Sequence, residues 1–234
     1  MNIKLKNKVE LAKNTLLLEF DLLGQKINFK AGQNAAWILP GLKSDQPGAN
    51  LHTFSLVSAP EQSDIVQFAT RISPSPFKQY LTTMPIGEEI ILGQIKGDLI
   101  LPPLSTPMVW LAGGIGITPF ISMLRSIKIN QLNYPITFIY SNRDEQSTAF
   151  LSELQQLAKD LPNFKLILTM TDQPDWPGEK QIISAELIKK YITDNNRLLY
   201  YIVGAPAMNQ AVYDSLISLN IPTERIKTED FTGY

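Results

Sequence analysis

The chain reads Leu111-Ala112-Gly113-Gly114-Ile115-Gly116-Ile117-Thr118-Pro119-Phe120 directly after the apolar run at residues 108–110. A continuous apolar run of this length, bounded by glycine, predicts a buried strand. Thr118 suits the N-cap of a following helix, and Pro119 suits the first helical position because proline has no N–H to leave unpaired. The stretch therefore predicts a strand, a glycine turn and a helix N-terminus.

Three of the chain's 13 glycines fall within four residues of this turn, namely Gly113, Gly114 and Gly116. Glycine lets the backbone adopt positive φ and approach a phosphate closely, and the amides at a helix N-terminus attract anions. The spacing is G-x-G-x-x-P, which departs from the dinucleotide pattern G-x-G-x-x-G. A tight strand-to-helix turn that binds nothing is the alternative interpretation.

Strands and helices alternate on the C-terminal side of the turn. A parallel sheet with helices on both faces is the architecture that such alternation predicts. The predicted strands span 108–111, 136–140, 164–168, 198–203 and 225–228, and the predicted helices span 118–128, 148–160, 184–193 and 206–219.

Short strands separated by Gly and Pro turns occupy the first hundred residues. They predict a small antiparallel barrel, interrupted by one helix at 77–83. The Pro-rich segment at 101–107 separates the two patterns, so we expect two domains, at 1–103 and 104–234. The predicted N-terminal strands span 14–20, 36–39, 53–57 and 65–70.

Composition excludes several classes of protein. The 234 residues carry 21 basic and 22 acidic side chains, and this balance argues against a nucleic-acid partner. With no cysteine and one histidine, the chain lacks the ligands of an iron–sulfur cluster or a His-rich zinc site, and we expect no metal. Residues 99–124 are uncharged, but their four prolines and three glycines argue against a membrane span, and we expect a cytoplasmic protein.

Six motifs in order resemble those of the ferredoxin–NADP reductase superfamily, whose members join a flavin-binding barrel to a nucleotide-binding α/β domain. The resemblance covers nearly the whole chain. It implies that residues 1–103 form an FAD-binding domain and residues 104–234 an NAD(P)-binding domain. The motifs are Phe29–Gln33, His52–Pro60, Ser75–Leu81, Gly113–Pro119, Val203–Met208 and Glu229–Phe231.

The same resemblance implies site residues for two cofactors, FAD and NAD(P)H. Phe54 would cover one face of the isoalloxazine, and the helix start near Ser75 would hold the pyrophosphate. The residues implied for FAD are His52, Thr53, Phe54, Ser55, Thr70, Arg71, Ser75, Phe77 and Lys78. Those implied for NAD(P)H are Gly113, Gly114, Gly116, Thr118, Arg143, Asp172, Gly204, Pro206 and Met208.

Three residues are implied in catalysis. Ser55 would place a hydroxyl near the flavin N5, and Glu229 would act as an electrostatic or proton-handling group. Phe231, with Tyr234 as a second candidate, would cover the other flavin face and yield it to nicotinamide. Each has an ordinary structural alternative, such as strand alternation for Ser55 and an apolar anchor for Phe231.

Two positions depart from the family pattern. His52 stands where the family has an arginine that pairs with the flavin pyrophosphate, and histidine is mostly neutral at pH 7. Arg71 or Lys78 is a candidate for the missing charge. Val203 stands where many members have cysteine near the nicotinamide, which removes a polarizable contact but no covalent step.

The choice between NADH and NADPH depends on charge near the adenosine ribose. Arg143 is a candidate for binding a 2′-phosphate, whereas Asp172 stands where NADP-specific relatives carry a basic residue. Repulsion between Asp172 and a phosphate is hard to offset, so the sequence favours NADH.

The sequence thus predicts a flavoprotein oxidoreductase that passes hydride from NAD(P)H to FAD and then electrons to an external acceptor, such as ferredoxin, flavodoxin, free flavin or a ferric compound. One alternative is a reductase subunit that serves a membrane or oxygenase partner. The other is a nucleotide-binding regulatory module without hydride transfer, which the departures at His52 and Val203 keep open.

Overall fold

The structure is a computed structural model that describes residues 1–45, 47–104, 106–193 and 197–231. It divides into two compact units. The first unit comprises Met1–Leu101 with Thr118–Ser126, and the second comprises Pro102–Ile117 with Ile127–Tyr234. Apart from Thr118–Ser126, the two units follow the order of the chain.

The first unit is built on a six-stranded antiparallel sheet in the order β4-β3-β6-β1-β2-β5. This confirms the predicted antiparallel architecture. One helix, α1 (Pro76–Thr83), lies between β5 and β6. The strands are β1 (Asn2–Ala12), β2 (Thr15–Asp21), β3 (Asn34–Ile38), β4 (Leu51–Ser55), β5 (Ile65–Arg71) and β6 (Glu89–Lys96).

The sheet of the first unit curls until its two edges meet. The Val57 amide, just after β4, donates to the Gln67 carbonyl on β5 at 2.8 Å. Inside, the buried rings of Phe20, Trp37 and Phe68 contact one another, with Trp37 and Phe68 centroids 4.4 Å apart. Closure of this kind encloses an apolar core and protects the edge strands.

The sequence analysis did not assign β1 and β6. The signal for β1 was present, because residues 2–6 alternate polar with apolar side chains at the period of a half-buried strand. Charge on the outer face of β1 matches this pattern: Lys4 lies 3.8 Å from Glu89 on the paired strand β6.

The second unit contains a five-stranded parallel sheet in the order β11-β10-β7-β8-β9. Every predicted strand and helix of this half is present. The strands are β7 (Met108–Gly113), β8 (Ile136–Asn142), β9 (Phe164–Met170), β10 (Leu199–Gly204) and β11 (Ile226–Asp230), and the helices are α2 (Thr118–Ile129), α3 (Leu151–Asp160), α4 (Ala185–Tyr191) and α5 (Pro206–Ser218).

Apolar packing holds helices against this sheet. The α4 residues Leu187 and Ile188 and the α5 residues Val212 and Leu216 join one buried cluster with side chains of the central strands, including Ile202. The buried positions recur at helical spacing on α4 and α5, as expected for helices with one face on a sheet. Among the described residues, no helix has both the length and the apolarity needed to cross a membrane.

The strand order reverses between β7 and β10, and the glycine turn follows β7 at this point. Ligands of open parallel sheets bind at the carboxyl ends of the strands where the order reverses. A 3-10 turn at Gly114–Ile117 precedes α2, so helical backbone begins four residues before the predicted N-cap. Thr118 is therefore the first residue of α2, because the glycine turn itself coils into the start of the helix.

Gly116 packs directly on the end of β10. A Cβ at residue 116 would collide with the carbonyl oxygen of Val203 and lie 3.0 Å from the Gly204 nitrogen. Gly114 has φ +54°, a backbone conformation that favours glycine. These glycines therefore have structural reasons to be there, whether or not the turn binds a ligand.

Residues 122–126 of α2 make polar contacts within the first unit. The Ser122 hydroxyl donates to the Ser58 carbonyl at 2.7 Å, and the Arg125 guanidinium donates to the Gln67 side-chain oxygen at 2.7 Å. The Ser126 hydroxyl donates to the Glu61 carboxylate at 2.9 Å. The start of this helix thus has defined hydrogen-bond partners rather than apolar contacts alone.

We predict that Gly116→Ala lowers the free energy of unfolding by about 2–3 kcal/mol, because backbone atoms of Val203 and Gly204 cannot move aside as a flexible side chain can. Chemical denaturation measures the change. Gly48→Ala is the control: Gly48 has φ +75° but open space around it, so only the backbone cost of about 1 kcal/mol applies. Equal losses in the two variants would contradict the packing argument.

Candidate functional site

Three parallel rings form a stack on the first unit. The His52 and Phe54 rings on β4 lie 4.4 Å apart at an interplanar angle of 4°. The Phe54 and Phe68 rings lie 4.6 Å apart at 1°. His52 and Phe54 are two residues apart on one strand and share a face of the sheet. The structure therefore brings together two of the residues implied for flavin binding.

Ser55 ends β4 and carries a buried hydroxyl. The residue is 3% exposed, and its Oγ has no hydrogen-bond partner among the described residues. An unpaired buried polar atom costs about 1–3 kcal/mol, so it indicates a site completed by a ligand or water. Thr53, two residues earlier on the same face of the strand, is exposed.

Positive charge gathers beside the ring stack. Burial lowers the pKa of Lys78, and the neighbouring Arg71 lowers it further. Burial also lowers the pKa of His52, Lys78 adds to this effect, and a hydrogen bond with the Thr53 carbonyl opposes it. Neighbouring positive charge that lowers the pKa of Lys78 and of His52 marks a position where an anion is stabilised.

The start of α1, the helix that carries Lys78, follows Arg71 closely in the chain. The Ser75 side chain caps the helix by accepting from the Lys78 amide at 3.3 Å, and Phe77 is buried beneath. Thr70, just before Arg71 on β5, is buried as well. The residues implied for the flavin phosphates are thus an N-cap serine, a buried lysine and a neighbouring arginine.

The second unit brings its implied residues together at the carboxyl ends of β7 and β10. The side chain of Met208, in the first turn of α5, fills the space beside two glycines: a Cβ on Gly113 would meet its sulfur, and a Cβ on Gly204 would lie 2.8 Å from it. Pro206 is the first residue of α5. The two glycine turns therefore pack around one methionine.

Arg143 and Asp172 meet at the carboxyl ends of β8 and β9. The Asp172 amide donates to the Arg143 carbonyl at 2.8 Å, and both side chains are exposed. Arg143 and Asp172, the two oppositely charged candidates for contact with the adenosine ribose, thus follow two adjacent strands.

Asn142 precedes Arg143 and was not singled out from the sequence. It is 6% exposed, and neither its amide nitrogen nor its amide oxygen has a hydrogen-bond partner among the described residues. A buried amide with both polar atoms unpaired, at the ligand-binding edge of a parallel sheet, indicates a hydrogen-bonding ligand.

Asn209 ties the last described residues to the end of β10. Its amide nitrogen lies 2.9 Å from the Glu229 carbonyl, 2.7 Å from an Asp230 carboxylate oxygen and 3.3 Å from the Gly204 carbonyl. All three partners are acceptors, which fixes the orientation of the amide and leaves Oδ1 buried and unpaired.

Phe231 is held through its backbone. Its amide donates to the Gly204 carbonyl at 3.0 Å, so the terminal segment lies beside the turn at Gly204. Glu229 pairs with Val203 in the register of β10 and β11. Tyr234, the second candidate for the terminal ring, lies outside the described residues.

Two of these residues, Asn142 and Asn209, were missed by sequence reasoning. Their positions offered a usable signal. Asn142 lies two residues after the predicted strand 136–140, and Asn209 lies six residues after the predicted strand 198–203. Their burial and lack of partners could not be read from the sequence, because both depend on distant segments. The unpaired atoms of Ser55, Asn142 and Asn209 and the cations around Lys78 fit ligands with hydrogen-bonding rings and phosphates.

The comparisons agree with the resemblance drawn from the motifs, because the chain has the two-domain fold of ferredoxin–NADP reductase-like proteins. Residues 110–214 match the family model of the oxidoreductase NAD-binding domain. One component of the Na(+)-translocating NADH-quinone reductase of Klebsiella pneumoniae is 26% identical over 200 residues, which make up 78% of this chain and 49% of that protein.

Two solved structures share the fold over nearly the full length of both chains. A ferredoxin NADP+ reductase from Neisseria gonorrhoeae, with bound FAD and NADP, has a TM-score of 0.82 and 21% identity, and 98% of each chain is covered. The flavohem-like FAD/NAD-binding domain of nitric oxide dioxygenase from Vibrio cholerae has a TM-score of 0.84 and 18% identity, also with 98% of each chain covered.

We predict that Asn209→Ala lowers the free energy of unfolding by about 2 kcal/mol, because it removes the buried amide that donates to the Glu229 carbonyl and to the Asp230 carboxylate. It should also speed amide exchange at residues 228–231. Denaturation and hydrogen exchange measure the two effects. Gln210→Ala is the control, since the neighbouring Gln210 makes only an exposed bond to Asp214. Unchanged exchange at 228–231 would contradict the role of Asn209.

We also predict that stability falls with acid in a window set by His52. Its pKa is lower in the folded chain, so between that value and about 6.5 the unfolded chain binds more protons. The free energy of unfolding should therefore fall as pH drops below about 6.5, by at most about 1.4 kcal/mol per pH unit. His52→Phe should remove this component.

Comparing the wild type with His52→Phe across pH isolates the titration of His52, because it is the chain's one histidine. Carboxylates titrate alike in both, so the difference in their unfolding free energies isolates His52. A constant difference from pH 5 to 8 would contradict the lowered pKa.

Proposed function

We propose that the chain binds FAD and NAD(P)H, transfers hydride from the nicotinamide to the flavin, and passes electrons to an external acceptor. The observation that carries the proposal is on β4, where the His52 and Phe54 rings stack and the next residue, Ser55, has a buried hydroxyl with no partner among the described residues. A flat ring system with hydrogen-bonding edge atoms is the ligand that such a surface suits.

The first unit supplies the proposed flavin site. FAD, when bound, accepts two electrons as a hydride and releases them singly. The aromatic stack of β4 orients the ring, and the Ser55 hydroxyl donates to or accepts from its edge. Lys78, Arg71 and the amides at the start of α1 neutralise the pyrophosphate, with Ser75 and Thr70 at its flanks.

The second unit supplies the proposed nucleotide site. Amides of the turn at Gly113–Ile117 face the pyrophosphate. The absence of side chains on Gly113 and Gly204 leaves room for the Met208 side chain, which packs between the two turns. Asn142 and Asn209 offer it hydrogen bonds. Pro206 and Met208 shape the turn that borders the nicotinamide.

Glu229 and Phe231 are proposed to act at the nicotinamide. The Glu229 carboxylate would stabilise positive charge on the nicotinamide. The hydrogen bond from the Phe231 amide to Gly204 holds the Phe231 backbone at the carboxyl edge of the sheet, where the residue would border the nicotinamide. Val203 contributes bulk but no polarizable sulfur.

We place the electron acceptor outside this chain, because the chain has no cysteine to hold an iron–sulfur cluster. The acceptor is a small molecule, such as free flavin or a ferric compound, or a carrier protein such as ferredoxin or flavodoxin. A cytoplasmic location and the lack of nucleic-acid partners stay predictions from the sequence.

A second candidate function is that of a reductase subunit in a larger assembly. The chain spans about half the length of the curated relatives it matches, which are subunits of a Na(+)-translocating NADH-quinone reductase. In this case the acceptor is a partner protein, and free flavin and ferric compounds are reduced slowly.

Reconstitution with FAD followed by anaerobic titration tests the proposed function. A yellow protein that is bleached by one equivalent of NADH or NADPH supports hydride transfer. A protein that binds nucleotide but takes up no flavin, or holds flavin that neither nucleotide bleaches, contradicts it and supports a regulatory module.

We predict a preference for NADH, because Asp172 repels a 2′-phosphate. Asp172→Ser should raise the ratio of kcat/KM for NADPH to that for NADH about tenfold, a change of about 1.4 kcal/mol. Arg143→Ala should lower the same ratio, since the candidate partner of the phosphate is lost. Steady-state kinetics with both nucleotides measures these ratios, and an unchanged ratio in Asp172→Ser would contradict the assignment.

A further inference from the structure

Both faces of the Phe54 ring are covered by protein. The rings of His52 and Phe68 lie within 4.6 Å of the Phe54 centroid and within 4° of parallel to it. Two parallel rings this close cannot share one face of Phe54, because they would overlap sideways. They therefore lie on opposite faces, in the order Phe68, Phe54, His52.

The outward end of this stack is the imidazole. Phe68 is fully buried, whereas His52 is partly exposed, so the stack runs from the core towards the surface. The Phe77 ring lies 5.5 Å from His52 at 59° and 5.7 Å from Phe54 at 55°. Since these distances are nearly equal, Phe77 lies beside the stack and does not cap the outer face of His52.

The imidazole is held in this orientation and kept neutral. Its Nδ1 lies 3.2 Å from the Thr53 carbonyl oxygen, a distance suited to a ring N–H that donates to that oxygen. Burial and the nearby Lys78 lower the pKa of His52. A neutral imidazole pairs weakly with phosphate but stacks on other aromatic rings.

We propose that the outer face of the His52 imidazole is the surface on which the isoalloxazine ring stacks, with Phe54 as the layer beneath. The inference rests on the proposed binding of FAD. It gives His52 a role different from that of the arginine in the family motif, which pairs with the flavin pyrophosphate. Phosphate binding then falls to Lys78, Arg71 and the start of α1.

Riboflavin separates the two roles, because it has the isoalloxazine but no phosphate. The experiment removes flavin from the protein and measures the affinities of riboflavin and FAD by fluorescence titration. The variants are His52→Ala, which removes the ring, and His52→Phe, which keeps a ring without a hydrogen-bonding or cationic group. Lys78→Gln is the matched variant for the phosphate.

Stacking predicts that His52→Ala weakens riboflavin and FAD by the same factor, about tenfold. His52→Phe should stay within about threefold of wild type for both ligands. Lys78→Gln should weaken FAD but leave riboflavin unchanged, and added salt should weaken FAD alone. His52→Gln, which is planar and polar but not aromatic, repeats the test should His52→Ala fold poorly by circular dichroism.

The opposite pattern would overturn the inference. If His52 binds phosphate, His52→Ala and His52→Phe both weaken FAD and leave riboflavin at wild-type affinity. A wild-type protein that binds neither flavin overturns the proposed function as well, so the two failures are distinguishable.

Discussion

The close packing of the glycine turn on the end of β10 is the contact on which the second unit depends. Gly116 lies against the backbone of Val203 and Gly204, where a single methyl group would not fit. This contact sets the start of α2 at the point where the strand order reverses. It also places the turn after β7 and the turn after β10 side by side, with Met208 between them. The nucleotide site proposed at this edge needs both turns in register.

Unpaired polar atoms lie on both sides of that contact. Asn142 follows β8 on one side of the turn, and Asn209 follows β10 on the other. Asn209 also holds the end of β11, so one side chain links the terminal segment to the nucleotide edge. In the first unit, the Ser55 hydroxyl is likewise buried and without a partner among the described residues. Both units thus keep polar groups buried at some cost to stability, as expected where a ligand completes the hydrogen bonding.

The sequence predicted the strand, turn and helix at residues 108–129 because glycine, proline and a continuous apolar run act locally. It missed β6, a strand whose pairing with β1 and β3 depends on residues far apart in the chain. The predicted helix began at Thr118, as α2 does, but the N-cap role expected of Thr118 was wrong, because the 3-10 turn at Gly114–Ile117 already has helical backbone. Motif resemblance found Phe54 and His52 together, but the order of the rings in the stack depends on Phe68 and could not be predicted from β4 alone. The unpaired amides of Asn142 and Asn209 likewise depend on distant segments.

Hydrogen exchange of the protein with and without NADH, followed by mass spectrometry, tests the nucleotide edge most directly. The account predicts slower exchange in peptides that cover residues 113–118 and 204–209, because their amides face the bound nucleotide. Peptides at the opposite, amino-terminal edge of the sheet, such as residues 131–136 and 162–165, should be unchanged. Protection confined to that opposite edge, or none at 113–118 with nucleotide at saturation, would contradict it.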